Sequence, residues 1–122
     1  MKNIMYHGSY IDFDIFKPSM KTDGIYFASD PNYAAGYANI KASLFNGIPL
    51  LYTVSLTITN PYEINGEDES VYRKYVRRGY NVYDLQKNGY DGIIMSFSDA
   101  ETEAMVINSG QIKIIKKSLL KG

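Results

Sequence analysis

The chain has 122 residues, of which 45% are hydrophobic and 21% charged, the makeup of one ordinary globular domain. Its 13 Lys and Arg offset its 13 Asp and Glu, and this zero formal charge argues against a broad electrostatic footprint for nucleic acid or an anionic membrane. It contains no cysteine, so disulfides, thiolate catalysis and zinc–thiolate sites are excluded.

Residues 1–6 carry no apolar signal region, and no later run approaches membrane-spanning length. The chain is therefore expected in the cytoplasm, its own or a host's, and as a monomer. Residues 4–6 read as a short strand that delivers His7, the single histidine, and Gly8 directly after it. A lone histidine beside an apolar segment usually serves the fold, but a following glycine lets a ligand approach the backbone. Residues 12–16 alternate polar and apolar, and residues 17–24 form a loop ending in a turn.

Residues 25–28 form the kind of short apolar run that sits as a buried strand. Ser29 and Asp30 then supply capping oxygens, and Pro31 suits a first helical turn. The helix runs from Pro31 through Ala34, Ala35, Ala38 and Ala42 to Asn46-Gly47. Tyr26 leaves the strand, and Tyr37 lies about two turns into the helix. Two such rings can grip a flat heteroaromatic ring, although the residue types alone favour packing in the core.

In residues 49–58, Leu51, Thr53, Ser55 and Thr57 alternate with Tyr52, Val54, Leu56 and Ile58, a strand with one covered face. Asn60-Pro61 ends it. Residues 67–78 read as a helix with Asp68, Glu69 and Ser70 in its first turn and Arg77-Arg78-Gly79 at its end. Val71, Tyr72, Tyr75 and Val76 share its apolar face, and Arg73, Lys74, Arg77 and Arg78 read as a solvated one. Residues 81–87 add a short helical segment, and residues 93–97, 103–107 and 111–115 read as strands. Glu103 opens an apolar run, where a carboxylate needs a reason. Many strands with segregated helices point to an α+β architecture of two packed sheets.

Three blocks carry a resemblance: His7-Gly8-Ser9, then Gly24-Ile25-Tyr26-Phe27-Ala28 with Tyr37 beyond, then Glu103 ahead of an apolar strand and Gln111-Ile112. In this order they resemble the ADP-ribosyltransferase fold, in the subgroup with His, Tyr and Glu as signature residues that includes diphtheria-type toxins and poly(ADP-ribose) polymerases. The resemblance spans residues 4–115. It implies one catalytic domain, residues 1–122, of two packed and mainly antiparallel sheets with a few flanking helices and an NAD-binding cleft. NAD+ is then the substrate, and no metal is required.

The resemblance further implies that Gly8 holds the nicotinamide carboxamide through its backbone while Tyr26 and Tyr37 flank the ring. His7 would bond the adenosine ribose, with Ser9 beside it in the NAD+ site. Glu103 would hold the 2′-hydroxyl of the reacting ribose and stabilise positive charge at its anomeric carbon. Ala34 stands where polymerase-like members usually carry a serine that donates to the carboxamide, a loss of about 1 kcal/mol. The long insertions of true polymerases are absent, so transfer of a single ADP-ribose to a protein acceptor is expected. Glu101 lies in the loop that faces the acceptor in this fold, where a carboxylate suits an arginine guanidinium. The same residues would serve an NAD+ glycohydrolase, with water as acceptor. A degenerate binding module would keep only the fold, and a carboxylate at Glu103 speaks against it.

Overall fold

The computed structural model describes residues 2–16, 24–99 and 101–120, so the loop expected at residues 17–23 lies outside the described residues. The first strand, β1 (Lys2–Ser9), is longer than its apolar run, and His7, Gly8 and Ser9 lie inside it. Its partner explains the length: β3 (Leu50–Thr57) pairs with it throughout, from Lys2 opposite Thr57 to Ser9 opposite Leu50. Pairing across a full ladder carries the extended conformation over Gly8, which propensity alone would not.

Between them come β2 (Ile25–Ala28) and α1 (Pro31–Phe45). Asp30 caps the helix by accepting from the Asn32 N–H at 2.9 Å, and Asn46 closes it in the left-handed conformation at φ 55°. Ala34, Ala38 and Ala42, four residues apart, form its buried stripe. After β3, β4 (Pro61–Asn65) is a strand where the sequence reads only a breaker. It is an edge strand beginning on the proline, the position at which a missing N–H costs least.

Next follow α2 (Glu69–Val76), capped by Asp68, and α3 (Val82–Lys87), capped by Asn81. Strands β5 (Gly92–Ser96), β6 (Thr102–Val106) and β7 (Ile112–Leu119) complete the chain, with a 3₁₀ turn at Ser109–Gln111. No helix among the described residues is long and apolar enough to cross a membrane.

The two packed sheets expected from the sequence are in fact one hydrogen-bonded sheet of seven strands, in the order β4-β5-β6-β2-β1-β3-β7. All pairs are antiparallel except β4 with β5. Alternation along each strand shows which face is covered, but it does not say which strands share a ladder. The sheet curls so that the end of β3 meets the start of β5. The Gln111 side-chain amide donates to the Thr57 carbonyl at 3.2 Å and to the Asp91 carbonyl at 2.7 Å. The Asp91 carboxylate in turn accepts from the Thr59 and Asn60 backbone.

One apolar cluster, with Met5, Phe27, Tyr52, Val54, Leu56, Ile94, Ala104 and Val106, fills the side of the sheet away from the helices. A second joins Tyr75 of α2 and Val82 and Leu85 of α3 to Ile93, Met95 and Met105. The weakest join in the sheet is central. Strands β1 and β2 share the single register pair Tyr6–Ala28, whereas β2 and β6 pair along all four residues of β2. The candidate site residues gather around this seam.

Candidate active site

At the seam the side chain of His7 replaces the ladder. Its Nδ1 lies 2.8 Å from the Tyr26 carbonyl oxygen, which only accepts, so Nδ1 carries the proton and Nε2 is left as an acceptor. Burial lowers the pKa of this ring against the opposing effect of that bond, and nearby Arg78 lowers it further. The imidazole is therefore neutral near pH 7. Phe16 at 5.1 Å and Phe27 at 5.5 Å between ring centroids hold its plane.

Glu103 is fixed from the opposite side. The Ser29 N–H donates to the Thr102 carbonyl at 2.9 Å, and the Ser29 hydroxyl accepts from the Thr102 N–H at 3.0 Å. This double bond pair brings Ala28 opposite Glu103 in the ladder. Ser29 thus serves β6, while Asp30 alone caps the helix. The pKa of Glu103 is raised by partial burial and by Glu101, and Arg78 opposes the rise.

A cavity of about 400 Å³ opens on the helical side, within the range of small-molecule sites. His7, Gly8, Tyr26, Tyr37 and Glu103 all line it. Four separated blocks of sequence therefore converge on one space. Tyr37 projects from α1 with 45% of its surface exposed, and Lys41 lies 5.4 Å from its ring centroid. Tyr26 is more enclosed. The Tyr75 ring meets it edge-on at 5.2 Å, and the Arg78 guanidinium lies 3.7 Å from its centroid.

Gly8 owes its identity to packing, not to ligand approach alone. A Cβ there would lie 2.0 Å from the Ala34 carbonyl oxygen, so β1 and α1 meet this closely only across glycine. Ser9, in contrast, is not among the residues lining the cavity. Its buried hydroxyl donates to the Ile11 carbonyl at 3.0 Å and accepts from the Ile11 N–H at 3.1 Å, which shapes the turn after β1.

Behind Glu103 lies a second cavity of about 180 Å³, lined by Asp30, Asp99 and Glu101 with the rings of Tyr33, Tyr72 and Phe97. It shares Ala28, Tyr33 and Glu103 with the first. Lost hydration and the Asp99 and Asp30 carboxylates raise the pKa of Glu101. The loop carrying it is anchored by Glu67, which accepts from the Ser98 N–H and hydroxyl, both at 2.9 Å. Among the described residues no group of three or more His, Cys, Asp or Glu is placed to hold a metal ion.

Among the lining residues that sequence reasoning did not assign to the site are Tyr33, Tyr75 and Arg78. Tyr75 is buried with a hydroxyl that meets no hydrogen-bond partner among the described residues, and its pKa is pushed well up by burial and then by Glu103 and Tyr26. Tyr75 was legible as part of the apolar face of α2, whereas Arg78 lies beyond the end of that helix, where helical spacing does not place it.

Comparison with known proteins identifies the family. A family model described as ADP-ribosyltransferase in polyvalent proteins matches residues 2–120. No curated protein and no solved structure matches the chain. Because the match covers nearly every residue and includes both walls of the cavity, the chain belongs to the family of ADP-ribosyltransferases found in polyvalent proteins.

Proposed function

We propose that this protein is a mono-ADP-ribosyltransferase that cleaves NAD+ in the larger cavity and transfers ADP-ribose to an acceptor presented through the smaller one. The observation that carries the reading is the convergence of His7, Gly8, Tyr26, Tyr37 and Glu103 on one space in a member of this family. The C–N bond between nicotinamide and ribose breaks, its electron pair neutralises the pyridinium, and positive charge builds at the anomeric carbon. The Glu103 carboxylate, on a strand whose backbone the Ser29–Thr102 clamp holds, stabilises that charge. His7 accepts a ribose hydroxyl at Nε2, and the Tyr37 face stacks on the nicotinamide ring.

The neighbouring carboxylates support transfer over simple hydrolysis. Asp30, Asp99 and Glu101, with three aromatic rings, suit an arginine guanidinium through charge-assisted and stacking contacts. An arginine nitrogen then attacks the anomeric carbon and gives up its proton to one of these carboxylates. Incubation with labelled NAD+, alone and with arginine-bearing peptides, tests this. A labelled peptide with release of free nicotinamide is expected. Nicotinamide release without any labelled acceptor would make the protein a glycohydrolase, and neither product would leave only a binding module.

A further inference from the structure

Arg78 is the unexpected feature of the cavity. The sequence places Gly79 where a helix end usually adopts the left-handed conformation, yet Arg78 takes it, at φ 59°. Its N–H donates to the Tyr75 carbonyl at 3.0 Å, and the Gly79 N–H reaches back to Lys74 at 2.8 Å. A non-glycine residue held there is strained, and such strain gathers at functional sites. The result is to fold the guanidinium over the Tyr26 ring, 3.7 Å from its centroid. Among the described lining residues Arg78 is the one fixed cation and Glu103 the one carboxylate.

From this we infer that Arg78 makes the site select a dinucleotide over a bare nicotinamide ring, an inference that rests on the NAD+ reading above. A guanidinium on a tyrosine face is a flat cation on a π surface, as a bound pyridinium would be. A ring settling against Tyr26 must take that place. Free nicotinamide is neutral, and displacing the guanidinium leaves Glu103 facing less positive charge. NAD+ brings a cationic ring to replace the guanidinium and a diphosphate for the displaced cation to hold. The exchange preserves charge only for the intact substrate. Arg78 thus opposes nicotinamide and favours NAD+.

Calorimetric titrations of the wild type and Arg78→Gly, separately with NAD+ and with nicotinamide, test the exchange. Glycine keeps the left-handed backbone without strain, and a melting curve confirms the fold. Arg78→Gly is expected to bind NAD+ roughly tenfold more weakly and nicotinamide about twofold to fivefold more tightly. Added salt should weaken NAD+ binding more in the wild type than in the variant. NAD+ binding that is unchanged or tighter in Arg78→Gly overturns the inference, as does nicotinamide binding that is unchanged or weaker. A wild type that binds neither molecule overturns the NAD+ reading itself, and this inference with it.

Discussion

The two cavities that meet at Glu103 are built in opposite ways. The larger has walls of regular structure: β1 and β2 at the seam, α1 on one side and α2 on the other. Its groups are mostly rings and backbone, and its histidine is held neutral by burial. The smaller is drawn largely from chain turns, Asp30 before α1 and Asp99 and Glu101 before β6, and its carboxylates crowd one another. A site that must hold one fixed molecule in reacting geometry gains from rigid elements. A site that receives another macromolecule gains from a charged rim, which steers approach and selects for charge. Glu103 belongs to both cavities, so its loss should affect both, while Tyr37 and Glu101, each in one cavity alone, should affect only one.

Glu103→Gln gives the largest effect expected. It keeps size and hydrogen-bonding capacity but removes the charge, so turnover should fall by roughly 10²–10³. NAD+ affinity should hardly change, because interactions made only in the transition state act on rate. Nicotinamide release, calorimetry and a melting curve separate these quantities. Full turnover in a folded variant would remove Glu103 from the mechanism.

Next comes Tyr37, which belongs to the larger cavity alone. Tyr37→Ala should weaken NAD+ binding by about 1–3 kcal/mol, the scale of aromatic stacking on a base. Tyr37→Phe should cost much less, since the face and not the hydroxyl is used. A phenylalanine variant as damaged as the alanine one in the same titration would refute stacking.

Glu101 probes the smaller cavity. Glu101→Ala should reduce labelling of an arginine peptide by about tenfold or more, the scale of one charge-assisted bond, while nicotinamide release to water stays intact. Equal loss of both would place Glu101 in NAD+ handling or folding.

The smallest expected effect is on pH dependence. On the proposed mechanism Glu103 acts as its anion, and its raised pKa means that activity is lost on acidification at a higher pH than an unperturbed carboxylate would give. Because Arg78 holds that pKa down against burial in the unliganded protein, Arg78→Gly should move the acid limb of the kcat/KM profile, which reports the free enzyme, still higher. A limb that stays put or moves down would show that Arg78 does not act electrostatically on Glu103.

The larger cavity was more legible in the sequence than the smaller, and the reason is physical. His7, Tyr26, Tyr37 and Glu103 stand on or beside strands and a helix that periodicity and capping signals delimit, and the family resemblance singled them out there. The stripe Ala34, Ala38 and Ala42 and the buried face Tyr52, Val54 and Leu56 were readable for the same reason. Strand partnership was not, because alternation is blind to which ladder a strand joins, so one curled sheet read as two. Pro61 hid β4 because a proline opening an edge strand looks like a breaker. Arg78 was invisible because a glycine next to it offered the easier left-handed residue. Ser9 misled for the opposite reason, since its position beside His7-Gly8 suggested a ligand while its hydroxyl serves the turn.

The slow Glu103→Gln variant also provides the most direct test, because it should hold NAD+ long enough for a crystal structure. The expected structure has the nicotinamide ring against Tyr37, its carboxamide on the Gly8 backbone and the reacting ribose beside residue 103, with the smaller cavity open to an acceptor. A dinucleotide bound outside this cavity, or one with adenine in place of nicotinamide against Tyr37, would contradict the assignment of the two cavities.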